Sequence, residues 1–286
     1  MSFECPLCET SAYAVVHEES AFRLLRCRDC GLAVKSYGGA LRPEDAQELQ
    51  DGVYTDLRRT DIGAVRRLAA DRLRMLTAVR REGRMLEIGC ATGEFLELAS
   101  RAGFDVAGVD ASERYARFAA ARGLEVVHGR LDDLAAEHRR FDIVVMFHLL
   151  EHVEDPNAFL SMLGAMVPRG GLLFAIVPNH DALTNRPFGY AHPVYQQADH
   201  LYFYSRATLP ALLDKHRFRP VATRTREYPH HFFTSLAGYL AGRRRRRVRR
   251  PGNAENSSGP RSGESPAGPR DAGRGRRRLR NAPYAL

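Results

Sequence analysis

The chain has 286 residues, 44% hydrophobic and 27% charged, a globular composition that excludes a fibrous or wholly disordered protein. No apolar run approaches the roughly 20 residues that cross a bilayer, and the N-terminus lacks a secretory layout, so a cytoplasmic protein is expected. The net charge of +9 lies in the tail: residues 243–286 hold 14 Arg against Glu255, Glu264 and Asp271 (net +11), leaving −2 on residues 1–242. The body of the chain is therefore not marked as a nucleic-acid binder.

Residues 1–35 hold four of the five cysteines, as Cys5-Pro-Leu-Cys8 and Cys27-Arg-Asp-Cys30, with 18 residues between the pairs. Two such knuckles present four thiolates to one tetrahedral zinc ion. Gly31 suits the turn that aims backbone amides at the sulfurs. Two disulfides are the competing use of these cysteines, disfavoured in a cytosolic chain. Four sulfur ligands leave no open position, so Cys5, Cys8, Cys27 and Cys30 are expected to hold a structural zinc. Alternation over 22–26 and 32–34 fits the short strands of a zinc ribbon.

Residues 36–83 form a helical lead-in, with Val65, Leu68, Ala69, Leu73, Leu76 and Val79 at three-to-four spacing. Tyr54, in the polar stretch before it, reads as an anchoring aromatic. From residue 84 strands are expected over 84–88, 105–110, 124–128, 141–147 and 171–177. Helices fall between them over 93–102, 112–122 (with Ser112 as N-cap), 131–138 and 156–167. This alternation predicts a Rossmann-like, doubly wound, mostly parallel sheet with helices on both faces, in a domain spanning 84–242.

Ligands of such sheets lie outside the carboxyl ends of the strands. That rule gathers Glu87, Gly89, Asp110, Asp132 and the run from His148 to His152 around one crevice. Gly89 and Gly93 supply a tight strand-to-helix turn that bares main-chain N–H groups to a ligand. Asp110, 23 positions after Glu87, is placed to accept from ribose hydroxyls, whereas Glu87 would repel a pyrophosphate and no G-x-G-x-x-G run is present. Acids at both places favour a nucleoside bearing a cation, and S-adenosylmethionine fits that description.

At this point the sequence resembles the class I S-adenosylmethionine-dependent methyltransferases, in the group with an N-terminal zinc ribbon, similar to sugar C-methyltransferases. The likeness is carried by the two C-x-x-C pairs, Leu86-Glu-Ile-Gly-Cys-Ala-Thr-Gly-Glu94, Val109-Asp-Ala-Ser112, the run from Phe141 to Pro156, and Asp199-His-Leu-Tyr-Phe-Tyr-Ser205. These motifs cover residues 1 to about 225 in order. The resemblance implies a cofactor held at Glu87, Gly89, Cys90, Ala91 and Gly93, with Asp110 and Ala111 at the ribose. Leu131 and Asp132 would border the adenine, and Phe147 ends the strand beside it. Ala91 departs from the family, where many members have a third glycine.

Phe147-His148-Leu-Leu-Glu151-His152 stands where the family's substrate-side residues lie. Its H-x-x-E-H spacing also matches helical zinc proteases, and it is similar to the E-x-x-E-H of small-RNA 3′-end 2′-O-methyltransferases, with His148 in place of the first Glu. The alternative is that Glu151 and His152 hold the loop. The long, His-rich and aromatic stretch 178–200 reads as a lid or substrate wall. In the zinc-ribbon sugar C-methyltransferases an acid–His pair before a Tyr-Phe-Ser stretch serves as base machinery, and Asp199-His200 occupies that place. His200 is thus the candidate general base, with His152, His148 and Glu151 beside it; the alternative is that it fixes the lid.

A helix capped by Ser205 follows over 205–216, then a sixth strand over 218–226. Residues 231–242 are apolar and helical in pattern, and the Arg-rich tail, 243–286, reads as disordered. The tail offers contact with nucleic acid or anionic membrane. No seventh strand is legible. The expected activity is methyl transfer to a small or carrier-linked acceptor, foremost a sugar or sugar-like metabolite. The alternatives are O-methylation of RNA ribose or a lipid-linked intermediate, or a zinc-ribbon scaffold whose tail binds nucleic acid.

Overall fold

The computed structural model describes residues 4–37, 61–226 and Leu236. Tyr54, the Arg-rich tail, any seventh strand and all of the 231–242 segment except Leu236 lie outside the described residues. The described chain opens with three antiparallel strands: β1 (Tyr13–Glu18), β2 (Arg23–Cys27) and β3 (Ala33–Ser36). β1 was not legible, because none of its residues is buried: four are half-covered and Val15 and Glu18 are exposed, with no alternation between faces. Helix α1 (Ile62–Thr77) follows, capped by Asp61, which accepts from Ala64 N at 2.8 Å. Its Ala69 and Leu76 are buried with Met85, Phe95 and Ala99.

A five-stranded sheet forms the body. It is built from β4 (Arg84–Ile88), β5 (Asp105–Asp110), β6 (Glu125–His128), β7 (Ile143–Phe147) and β8 (Leu172–Ile176), in the order β6-β5-β4-β7-β8 with every pairing parallel. Between the strands lie α2 (Glu94–Arg101), α3 (Glu113–Ala120), α4 (Leu131–Ala136) and α5 (Pro156–Met166). β7 is an interior strand covered on both faces: Ile143, Val144, Val145 and Met146 have no exposed surface, each contributing about 1.5–3 kcal/mol by burial. The strand order reverses between β4 and β7, so their carboxyl ends open onto the crevice where such folds hold ligands.

After β8 the chain runs through short helical turns and α6 (Pro193–Gln196) to β9 (Tyr202–Phe203) and α7 (Thr208–Lys215). Ser205 Oγ accepts from Ala207 N at 3.2 Å and Thr208 N at 3.1 Å in the turn before α7; the N-cap residue is Ala207, so the helix starts later than expected. The two-residue β9 pairs with β3, Ala33 opposite Phe203 and Val34 opposite Tyr202, so the N-terminal sheet has the order β1-β2-β3-β9.

One expected element is absent. Residues 218–226 form no strand. Pro220 has no N–H to give a ladder, and Val221 is 78% exposed, so the segment finds neither a pairing edge nor a covering face. Among the described residues no helix is long and apolar enough to cross a membrane.

Candidate active site

The turn from β4 into α2 is built on conformations that suit glycine: φ is +72° at Gly89 and +80° at Gly93. A Cβ at Gly93 would come within 2.5 Å of Leu124 Cδ1 and 3.2 Å of Ala119 Cβ, so the turn also needs the space. The expectation that this turn bares its N–H groups is corrected. Gly89 N and Cys90 N donate to Val109 O at 2.8 and 3.3 Å, Gly93 N donates to Cys90 O at 2.9 Å, and Ala91 N donates to Asp110 Oδ2 at 2.7 Å. With these amides used internally, the loop is no anion cradle.

Ala91 itself has φ +46°, a left-handed conformation that costs an alanine about 1–2 kcal/mol. Ala91→Gly should therefore raise stability by roughly 0.5–1 kcal/mol, after glycine's greater unfolded-state freedom is set against that strain. Urea unfolding checks this; a drop in stability would mean the methyl is gripped by packing.

Carboxylates dominate the crevice. Glu87 is 4% exposed, and its Oε2 is buried without a hydrogen-bond partner. Burial pushes its carboxyl well up; Arg72 pulls it down, and Asp110 and Glu94 push it further up. The Arg72 guanidinium lies 4.4 Å from the centre of the Phe147 ring, at the end of β7. Asp110 accepts from Ser112 N through Oδ1 at 2.9 Å, as well as from Ala91 N, which aims it across the turn. Arg122 donates to Thr92 O at 2.6 Å and pairs with Glu94 at 3.3 Å, locking the turn to α2. The Cys90 thiol is buried, and burial first, then Glu87 and Asp110, push it up, so it stays protonated. Ala111 follows Asp110 on the rim. Leu131 commits its side chain to the core beside Val109, leaving only its backbone for a ligand, and Asp132 is exposed on the first turn of α4.

Beyond β7 the chain bends at His148, whose φ is +53° and whose N donates to Ile176 O at 2.7 Å. The protease-like spacing does not lie on one helix: only Leu150–His152 form a single 3₁₀ turn, and His148 precedes it. Glu151 is 1% exposed. Its Oε1 lies 3.5 Å from His148 Nδ1 and 4.0 Å from His152 Nε2. Burial pushes its carboxyl up, but His148, His152 and His200 together hold it below the usual value.

His200 joins the cluster from the lid, its ring 4.9 Å from that of His152. Its partner is not Asp199. His200 Nδ1 bonds Val194 O at 3.0 Å, whereas Asp199 faces His152 Nδ1, through its carbonyl at 2.8 Å and its carboxylate at 3.5 Å. Burial, then the His152 charge, push His200 down to about 4, against Glu151 and Asp199. The imidazole is therefore neutral at physiological pH but 5% exposed. The acid–histidine pair here is Asp199 with His152.

Comparisons with known proteins now bear on this crevice. The profile of a family described as "Methyltransferase domain" matches residues 58–223, more than half of the chain. The chain belongs to the methyltransferase-domain family. Among curated relatives, the ubiquinone biosynthesis O-methyltransferase of Bordetella avium is 38% identical over 98 residues, 32% of this chain and 41% of the relative. That of Mesorhizobium japonicum is 37% identical over 102 residues, 34% of this chain and 41% of the relative. The chain thus spans about two fifths of the length of these relatives. A solved S-adenosylmethionine-dependent methyltransferase from Archaeoglobus fulgidus is 22% identical, with a TM-score of 0.48 over 66% of this chain and 93% of that one.

The methyltransferase domain is joined to the cysteine-bearing sheet more closely than its sequence shows. Cys5 Sγ lies 3.5 Å from Cys30 Sγ and Cys8 Sγ 3.4 Å from Cys27 Sγ, and all four sulfurs lie within 4.8 Å of one another. The separations exceed the ~2.05 Å of a disulfide, and all four thiols are free. Burial raises the Cys27 thiol, but amides of Cys30 and Asp29 and the neighbouring thiols bring it down to about 7. The cluster is compatible with a zinc ribbon.

Lys35, with no exposed surface, reaches from β3 to the lid: Nζ donates to Gln197 O and lies 4.7 Å from the Phe22 ring and 5.6 Å from Phe203. Tyr37 OH donates to Ala198 O at 2.6 Å. Burial pushes Lys35 down to about 8 from 10.5, partly opposed by Asp199 and Glu19. Between those two pH values the unfolded chain binds the extra proton, so stability rises with pH there, by about 3 kcal/mol in all. Lys35→Met should abolish that rise and raise stability near neutral pH, while removing the donor to Gln197 O. Paired urea titrations across that window check it; parallel pH curves would refute it.

Lys35 and Arg72 lie against the lid and the crevice, and the sequence did not single them out. Arg72 is one of several arginines on α1, and nothing in their spacing selects it.

Proposed function

We propose that the chain is a methyltransferase that uses S-adenosylmethionine and modifies an oxygen of a small or carrier-linked hydroxyl acceptor. The observation that carries the cofactor is the buried, unpartnered Glu87 Oε2 at the strand-order reversal, with Asp110 aimed across the turn. A buried carboxylate without a donor suits the ligand's ammonium group, and Asp110 suits ribose hydroxyls. Gly89, Cys90, Ala91 and Gly93 would floor the site, with Ala111, Leu131, Asp132 and Phe147 along its wall. S-adenosylmethionine supplies the activated methyl when bound.

The acceptor side falls to His148, Glu151, His152, Asp199 and His200. His148, 24% exposed at its side chain, is the open member, and Glu151 stands behind its Nδ1. His148 is suited to take the acceptor proton at Nε2 while the carboxylate steadies the resulting imidazolium. His200, buried and held by Val194, fits the alternative of fixing the lid. An oxygen acceptor also accords with the name of the O-methyltransferase relatives. A sugar or sugar-like hydroxyl remains the first class to assay. The four cysteines are proposed to hold one structural zinc, whose chemistry is to crosslink the sheet.

The test is calorimetry with S-adenosylmethionine and its demethylated product, followed by a methyl-transfer assay across nucleotide sugars and phenols. Absence of heat with both nucleosides would sink the reading.

A further inference from the structure

We propose that Arg26 and Arg28, on the lid-facing side of the cysteine-bearing sheet, bind the phosphate of a phosphorylated acceptor. Residues two apart on a strand share a face, so Leu24 and Arg26 of β2 lie together. Opposite them stand Lys35 and Ala33 of β3, with Ala14 of β1 beside Arg26 and Phe203 of β9 beside Ala33. The lid covers only part of this face: Val194 and Tyr195 are buried with Leu24, Ala33 and Phe203. Beyond them the sheet opens into a hollow of 380 Å³, lined by Ala14, Val16, Arg26, Arg28 and Asp29 around Gly31. That volume suits a small-molecule ligand.

The arginines of this sheet are not used alike. Arg23 pairs with Glu18 at 2.7 Å, whereas among the described residues neither Arg26 nor Arg28 forms an ion pair. The Arg26 guanidinium lies along the bare backbone of the second knuckle: a Cβ added at Gly31 would stand 3.5 Å from its Nη2 and 3.7 Å from its Nε. Asp29, exposed on the rim, is paired with neither arginine. A planar fork of N–H donors without a protein acceptor suits a phosphate, which takes two parallel hydrogen bonds from one guanidinium. Two such forks in one concavity concentrate anions there.

The hollow is linked to the crevice through the lid. Burial pushes His180 down, Asp181 opposes the fall, and the Arg26 charge adds to it. Arg26 also acts on Tyr195, against burial, Tyr190 and Asp181. Its guanidinium therefore ends near both side chains, which meet each other at 3.5 Å, Tyr195 OH to His180 Nδ1. His180 N donates to Tyr204 O at 3.0 Å, and the Glu151 charge acts on Tyr204. An elongated acceptor held by its phosphate at the ribbon would thus run along the lid, past Tyr195 and His180, toward the acceptor side of the crevice. That role rests on the proposed methyl transfer; the binding of phosphate does not.

The test is calorimetry on the full chain with pyrophosphate, without S-adenosylmethionine. Binding is expected, and Arg26→Ala and Arg28→Ala should each weaken it about tenfold through the loss of a charged hydrogen-bond donor. Uridine diphosphate and phosphopantetheine are run as further arms; tighter binding of either names the carrier, and equal binding of all three names a plain phosphate ester. In the unmodified chain pyrophosphate should also shift the amide NMR signals of residues 26–31, His180 and Tyr195, a readout that needs no variant to fold. No binding in any arm, or binding kept by both variants with those signals unmoved, overturns the site. So does a loss of zinc from the variants without any response to pyrophosphate, which would show that the arginines only offset thiolate charge. With a phosphorylated acceptor, Arg26→Ala should raise KM about tenfold and leave kcat within about twofold; an unchanged KM overturns the acceptor role. A chain that binds pyrophosphate but transfers no methyl overturns the activity and leaves the site standing.

Discussion

Replacing Asp110 by alanine should weaken the binding of S-adenosylmethionine about a hundredfold while the sheet stays folded. Hydrogen bonds to a charged acceptor are worth about 1.5–3 kcal/mol, and Asp110 is placed to accept from a ribose while already bonded to Ala91 N and Ser112 N. The substitution therefore acts twice, by removing the ligand's acceptor and by freeing two amides that shape the turn. Asp110→Asn separates the effects: it keeps an oxygen for one amide but loses the charge, and an intermediate loss near tenfold is expected. β5 keeps its pairings with β4 and β6, so melting should shift by only a few degrees. Calorimetry on both variants is the check. Unchanged affinity with an intact fold would place the ribose elsewhere.

The parallel sheet was legible because its signals are local. The apolar run of β7, the glycines after β4 and the acids at two strand ends each report on their own neighbourhood. What was not legible depends on contacts distant in sequence. β9 is two residues long, and its pairing with β3 spans some 170 positions; no periodicity announces it. Asp199 and His200 are adjacent in sequence, which suggested a catalytic pair. Neighbouring residues do not face one another, however, and Asp199 turns to His152 while His200 turns to Val194. The turn after β4 misled for a related reason. Its glycines correctly announced a tight bend, but sequence cannot show that Val109 O and Asp110 consume its amides. The expected strand over 218–226 finds no edge to pair with among the described residues.

Stripping zinc from the four cysteines should abolish methyl transfer while leaving S-adenosylmethionine affinity within about threefold of its starting value. The binding of a structural zinc is worth about 10–16 kcal/mol in small cysteine-rich folds, so its loss should unravel β1–β3. The lid is fastened to that sheet as well as to the loop after β7, where Leu201 N donates to Glu151 O at 2.8 Å and Tyr202 OH to Glu154 O at 3.0 Å. Lys35 N donates to Leu201 O at 2.8 Å, Lys35 Nζ and Tyr37 OH hold the carbonyls of Gln197 and Ala198, and β3 carries β9. Lys215 Nζ adds a bond to Pro6 O at 2.8 Å and a pair with Glu9 at 2.9 Å, tying α7 to the first knuckle. When β3 is lost, Asp199 and His200 keep only the bonds to the loop after β7 and within the lid, and their fixed placement against Glu151 and His152 loosens. Glu87, Gly89 and Asp110 stand on β4 and β5, which make no strand pairing with the ribbon. Hydrogen exchange after chelation should rise together over β1–β3 and residues 194–204, with β4 and β5 protected. Cys27→Ser should reproduce the pattern. Full transfer activity with the ribbon exchanged out would show that the lid holds its shape alone.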